Sequence, residues 1–239
     1  MSTVDELKSD LRRLSNPERA KQCARYFKTG KGEYGEGDIF LGIIVPEQRK
    51  IAKKYLGLDL KDIGSSLASK IHEERLIALL ILTYKFKSKI LNDKGREEIF
   101  NLYLKNARLG NINNWDLVDL SAPNVVGGHL LDNNRSILYK LAKSNNLWER
   151  RIAVLATFMF IKYNDFKDAL RIAELLLEDK HDLIHKAVGW MLREIGKRDQ
   201  SKEEGFLEKH YKKMPRTMLR YAIERFEEGK RKAYLGGKI

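Results

Sequence analysis

The sequence predicts an all-α protein, an α–α superhelix (solenoid) of HEAT-like helical repeats with a basic concave face. Three observations predict it. Apolar residues recur at helical spacing nearly from end to end, and the alternation expected of a half-buried strand is almost absent. The segments Glu74-Arg75-Leu76-Ile77-Ala78-Leu79-Leu80 and Glu149-Arg150-Arg151-Ile152-Ala153-Val154-Leu155 share their order of charged, apolar and alanine positions. Ala153, Ala187 and Ala222 then fall 34 and 35 residues apart, while Ala78 to Ala153 spans 75, room for two units. A period in the thirties to forties, built of helix pairs, marks a stacked repeat array. A plain globular helical fold with accidental internal similarity is the alternative.

Each element follows from local chemistry. Thr3 or Ser2 caps a first helix to about Leu14. Ser15-Asn16-Pro17 starts a second, with the proline at the first helical position, running to about Phe27. The glycine-rich stretch 29–38 contains Gly30-x-Gly32-x-x-Gly35, but it follows a helix rather than a strand and lacks the Gly-Lys-Ser/Thr ending of a phosphate loop. It reads as a surface loop or as a flexible connection offering backbone amides to a ligand. Pro46 starts a helix through Tyr55, and helices 1–58 form an N-terminal cap on one domain covering 1–239. Further helices are expected at 60–69, 72–87, 94–107, 114–131 (interrupted at Pro123), 135–143, 147–162, 165–178, 182–197, 202–212 and 215–228.

Composition narrows the class. Hydrophobic content of 43% and aromatic content of 9% are those of a folded chain. The longest apolar stretches, Leu76–Tyr84 and Ile152–Ile161, hold 9 and 10 residues, well short of the ~20 needed to span a bilayer. The start, Met1 to Glu6, lacks a signal-peptide pattern, so a cytoplasmic protein is expected, nucleoid-associated when bound to DNA. One cysteine, Cys23, excludes an internal disulfide and a cysteine-based metal cluster, and it reads as a small buried hydrophobe. The net charge is +13, and Lys186 to Lys238 carries 15 basic and 8 acidic residues. Such a field draws polyanions, nucleic acid first among them; a solvated surface is the bland reading.

One segment stands out from the repeats. In Asn114-Trp115-Asp116-Leu117-Val118-Asp119, Trp115 and Asp119 are four apart, so a helix stacks an indole and a carboxylate on one face. Pro123 has no N–H for the Asp119 carbonyl, and its ring clashes there, so the helix is expected to kink or break at that carboxylate. Asp119 is the candidate catalytic group, its alternative a helix-end carboxylate paired with an arginine; Asp116, in the first turn, suits a capping role. Gly189 beside Trp190 suggests close approach of another surface. Arg150-Arg151, entering an apolar helix, suits either phosphate contact or an inter-repeat ion pair. Trp115, Arg151, Trp190 and Arg220 fall on successive equivalent helices. His181 and His185 lack a zincin glutamate between them and read as a solvated pair, and no Gly-x-Ser-x-Gly elbow is present.

Together these residues resemble the AlkD-type DNA alkylation-repair glycosylases, a HEAT-like repeat family, over nearly the whole chain. The likeness rests on Asn16-Pro17-Glu18-Arg19-Ala20 with Tyr26, on Phe40-Leu41-Gly42-Ile43 before Pro46 and Arg49, and on the Trp115–Asp119 block. Trp148-Glu149-Arg150-Arg151 and Lys186 to Glu194 around Trp190 complete it. The resemblance implies a monofunctional N-alkylpurine DNA glycosylase. Its substrate would be duplex DNA carrying cationic N3- or N7-alkylated purines. It implies Asp119 as catalytic aspartate, Trp115 and Trp190 against the lesion, and Tyr26 near it. Arg151, Arg150, Lys186, Arg193 and Arg220 would meet DNA phosphates. No metal, cofactor or obligate protein partner is expected, and the chain should act as a monomer. Two features depart from the family: Asn114 stands where a paired tryptophan is common, and the stretch 29–38 looks longer. The competing classes are a non-catalytic HEAT-like protein that binds damaged or unusual DNA, and a protein-binding scaffold.

Overall fold

Thr3 opens the first helix, α1 (Val4–Arg13), through a reciprocal cap: its hydroxyl accepts the Glu6 N–H, and the Glu6 carboxylate accepts the Thr3 N–H. Ser2, the other cap considered, lies outside the described residues, which are 3–239 of this computed structural model. The chain divides into two compact units, Met1–His129 and Leu130–Ile239. Among the described residues every element is helical, apart from one isolated parallel bridge between Ile39 and Ile71. No described helix is long and apolar enough to cross a membrane.

In the first unit, α2 (Pro17–Tyr26) begins with Pro17 at its first turn and Asn16 as cap, as the sequence predicts. Then follow α3 (Val45–Lys54), α4 (Leu60–Leu67), α5 (His72–Lys87), α6 (Asp93–Arg108) and α7 (Trp115–Ala122). Helix α5 is buried on all sides from His72 through Thr83, with α3, α4 and α7 packed around it. Four of those buried residues, His72, Glu73, Glu74 and Arg75, carry ionisable side chains. Glu73 binds the stretch after the glycine-rich loop: its carboxylate accepts the N–H groups of Leu41, Gly42 and Ile43. Gly42 has φ +79°, and a Cβ there would lie 2.4 Å from the Asn16 carbonyl oxygen, so only glycine lets this stretch meet α2.

Pro123 does not break its helix. The chain continues through Pro123–Gly127 as a π turn into a last helical turn, α8 (Gly128–Leu130). A wider turn removes the need for a proline N–H at the Asp119 carbonyl and relieves the ring clash. The expected interruption is therefore a local widening, and Asp119 stays in regular α-helix one turn after Trp115.

The second unit runs α9 (Ser136–Ala142), α10 (Leu147–Lys162), α11 (Lys167–Leu175), α12 (Asp182–Gly196), α13 (Gln200–His210), α14 (Arg216–Ala222) and α15 (Glu228–Leu235). α12 lies at its centre, packed on α10, α13 and α14. The helix expected at 215–228 is in fact two. It tightens into a 3₁₀ turn at Ile223–Arg225, and Glu227, in extended backbone, caps α15 by accepting the Gly229 and Lys230 N–H groups. His181 and His185 are half-buried rather than solvated: the His181 ring caps α12 at the Leu183 N–H, and His185 bonds the Asp179 carbonyl.

Glu203 on α13 is buried at 2% exposure against Gly196, and Oε1 has no hydrogen-bond partner. Burial, with a smaller push from the Glu204 charge, raises its pKa from 4.5 to about 8. Folding therefore holds a proton that the unfolded chain releases above 4.5, so this group lowers stability progressively from pH 4.5 to about 8. Glu203→Gln, the same shape without the ionisation, should raise stability at neutral pH by about 2–3 kcal/mol, following the size of that shift. The gain should shrink toward pH 4.5 in thermal unfolding measured across that range. An equal gain at every pH would contradict the argument.

Candidate functional site

Asn114 is the cap of α7, with its side-chain oxygen accepting the Trp115 N–H at 2.9 Å. Asn114 is fully buried, and it supplies the acceptor at the start of this helix. From that start, helical geometry sets Trp115 and Asp119 on one face, one turn apart, both half-buried. Asp119 lies near enough to Tyr103 to add to the rise in its pKa, which comes first from complete burial. The Tyr103 hydroxyl shares a 3.0 Å hydrogen bond with Ser121.

Trp115 packs on a cluster of rings in which Phe27, Phe40 and His72 all touch one another, Phe27 also meeting His72 at 5.2 Å. Its indole stacks on Phe27 at 5.1 Å and 19°, Phe27 on Phe40 at 5.1 Å and 16°, and Phe40 on the His72 imidazole at 4.5 Å and 24°. Tyr26, 68% exposed, meets Trp115 edge-on at 5.9 Å. The glycine-rich loop connects these rings. Among its glycines, the N–H groups of Gly30 and Gly32 are taken by Glu33 and Glu36 of the same loop. The loop ends on the Ile39–Ile71 bridge, which brings Asp38 beside His72.

His72 joins this ring cluster to a buried charge network. His72 Nε2 is 2.8 Å from Asp116 and Nδ1 is 3.2 Å from Asp38, while the Arg75 guanidinium lies 2.7 Å from Asp38. Asn113 also donates to Asp38. Burial alone would strip the imidazole of its second proton. The Asp116 charge, with hydrogen bonds to Asp116 and Asp38, outweighs burial and raises His72 to about 9. Both ring nitrogens therefore donate at neutral pH. For Asp38, burial is outweighed by His72 and Arg75, which hold it below the usual carboxylate value. Two anions and two cations close the network without net charge. Asp116 also accepts the Leu117 N–H, although the cap of α7 is Asn114.

The second unit holds the other expected site residues. Arg150 makes an ion pair with the loop before α12: Nε is 2.6 Å from Asp179, and Nη1 donates to the Ser144 and Asn145 carbonyls. Arg151 is buried and donates to the Leu183 carbonyl at 2.5 Å. Trp190 is half-buried beside Phe158, its N–H bound to Glu194 at 3.0 Å. Gly189 meets α14: a Cβ there would lie 2.4 Å from the Met218 carbonyl oxygen. The close surface anticipated beside Trp190 is thus another helix of this unit. Lys186 pairs with Asp182, Arg193 pairs with Glu224, and Arg220 is exposed. Among the described residues no group of three or more His, Cys, Asp and Glu side chains suits a metal ion.

The sequence model of the DNA alkylation repair enzyme family matches residues 7–226. The chain belongs to this family. Among solved structures it is similar to one described as a predicted DNA alkylation repair enzyme from Enterococcus faecalis, at 18% identity and a TM-score of 0.71. That likeness covers 90% of this chain and 97% of the other and shows a shared fold, the α–α helical repeat class. No curated protein matches the chain.

In this member of the family, sequence reasoning missed His72, Asp38, Arg75 and the ring cluster of Phe27 and Phe40. One signal was available. His72-Glu73-Glu74-Arg75 leads directly into the apolar run Leu76–Leu82. Four ionisable residues on consecutive positions point all round a helix, so a fully buried helix must bury some of them with partners.

Proposed function

We propose that the chain is a DNA glycosylase that hydrolyses the N-glycosidic bond of cationic N3- and N7-alkylated purines in duplex DNA. The observation that carries this reading is the face of α7: Asp119 one turn after an indole that is stacked, capped and braced by Tyr26, Phe27 and Asn114. Cleavage of the glycosidic bond builds positive charge on the deoxyribose. The alkylated base is already cationic, leaves neutral and needs no general acid. What remains is to stabilise the oxocarbenium and to orient a water. A carboxylate supplies both, by field and by accepting the water's hydrogen bond. An electron-rich indole face favours the cationic sugar over the neutral one.

The basic residues of the second unit serve DNA in this reading, with Arg220, Lys186 and Arg193 offered to phosphates. Arg151, and Arg150 through its ion pair, would fix the helix entries that carry them. Affinity resting on such contacts should fall steeply with salt, by about tenfold or more between 50 and 200 mM. A flat dependence would contradict phosphate-based binding.

The test is base release from a duplex containing N7-methylguanine. Release, leaving an abasic site with the strand intact, supports the glycosylase. Salt-sensitive binding to the same duplex without release would instead assign a non-catalytic DNA-binding role.

A further inference from the structure

We propose that His72 is a positioning residue for Trp115: its imidazolium clamps Asp116, next to Trp115 in α7, to Asp38 at the end of the glycine-rich loop. Its ring, at the same time, packs against both Phe27 and Phe40 in the cluster on which the indole stacks. The proposal concerns the orientation of Trp115, and it rests on the glycosylase reading only for its consequence in base release.

Two independent connections run from His72 to Trp115. One is through charge. Nε2 lies 2.8 Å from Asp116 in the first turn of α7, and Nδ1 lies 3.2 Å from Asp38, itself held at 2.7 Å by Arg75 and by Asn113. The other is through rings: His72 meets Phe27 at 5.2 Å and Phe40 at 4.5 Å, those two rings stack at 5.1 Å, and Phe27 stacks on Trp115 at 5.1 Å. A side chain fixed at both its backbone and its ring face keeps one rotamer. His72 is 2% exposed and reaches Trp115 only through Phe27 and Phe40, so it is placed to act through Trp115 rather than on a ligand.

Protonation couples the two connections. With one proton lost, one of the two carboxylates loses the hydrogen bond from His72, and the like charges of Asp38 and Asp116 face each other across a neutral ring. The groups that face His72 are Asp38 from the loop, Asp116 from α7 and Arg75 from its own helix. Cys23 of α2 lies within reach of the Asp116 charge. Tyr26 is the titratable group against Trp115 itself.

Incorporation of 5-fluorotryptophan tests the proposal. Each of Trp115, Trp148 and Trp190 gives one fluorine resonance, and loss of a resonance in Trp115→Phe identifies the first. In the wild-type chain the Trp115 resonance should stay constant at neutral pH and shift as pH rises through about 9, with the other two unmoved. The shift should persist in Tyr26→Phe and vanish in His72→Gln. A Trp115 resonance that ignores pH in the wild type, or that titrates equally in His72→Gln, overturns the clamp. So does a titration in which all three resonances move together. The wild-type titration needs no substitution, so it decides even where a variant fails to fold.

In single-turnover base release, His72→Gln should be slower by about tenfold, with DNA affinity within a factor of about two, since a misplaced group costs rate more than binding. An unchanged rate with a displaced Trp115 resonance removes the catalytic consequence. If the wild type releases no base while the resonance behaves as described, the glycosylase reading fails and the positioning of Trp115 stands.

Discussion

Replacing Asp119 with asparagine should lower N7-methylguanine release by about a hundredfold while leaving DNA binding intact or tighter. The size follows from losing one preorganised electrostatic group aimed at developing charge, typically about 3–4 kcal/mol. Asparagine keeps the shape and the hydrogen-bonding reach toward water and removes only the charge. Binding should not suffer, because DNA phosphates repel the carboxylate that is lost. The helix should tolerate the change, since Asp119 is half-buried in regular α-helix and the distortion at Pro123 is absorbed downstream in the π turn. The tests are single-turnover release at saturating enzyme and equilibrium binding of the same duplex. Unchanged release would remove Asp119 from the mechanism. Lost release with equally lost binding would mean that the substitution disturbs the surface and not the chemistry.

The helical architecture was legible because it is written locally. Caps at Thr3 and Asn16, prolines at first turns and the recurring apolar stripe each fix an element without knowledge of its neighbours, whereas the cap of α7 is Asn114 and not the Asp116 expected in its first turn. The Trp115–Asp119 pairing was legible for the same reason, as four-residue spacing is a property of one helix. A distortion at Pro123 was expected, as a kink or a break; it takes the form of a widened turn starting at Pro123, because a chain can widen a turn as well as end it, and sequence spacing does not separate the two. Glu227 was not recognised as a cap because its extended backbone is set by α14 ending one turn earlier.

The support of Trp115 was not legible, since it is assembled from sequence separations of 44 residues between His72 and Asp116 and 34 between His72 and Asp38. Nothing in either local stretch names the other as a partner. The arginines show the converse. Arg150 and Arg151 looked alike in sequence, yet one forms an ion pair with Asp179 and the other is buried against the Leu183 carbonyl, because neighbouring helix positions face different surroundings.

Glu73→Ala should destabilise the protein by on the order of 4–5 kcal/mol, the largest stability effect expected of a single truncation in the first unit. Glu73 is 1% exposed, and its two carboxylate oxygens accept three backbone N–H groups, from Leu41 at 2.9 Å, Gly42 at 2.7 Å and Ile43 at 3.3 Å. No helix or sheet satisfies those donors, so truncation leaves them without the acceptor that folding provided. Glu73→Gln keeps one acceptor oxygen in the same shape and should cost about half as much, because a neutral acceptor makes the weaker bond. Urea unfolding would show each effect as a lowered midpoint at unchanged slope. A loss below about 1 kcal/mol for the alanine variant would mean that water replaces the carboxylate, and the stretch is not anchored as described. The consequence reaches the candidate site as well. Residues 41–43 follow directly on Phe40 and Asp38, so releasing them loosens the ring beneath Phe27 and the carboxylate beside His72. Glu73→Gln should therefore slow base release more than its remaining folded fraction accounts for, although Glu73 itself binds only this stretch of backbone.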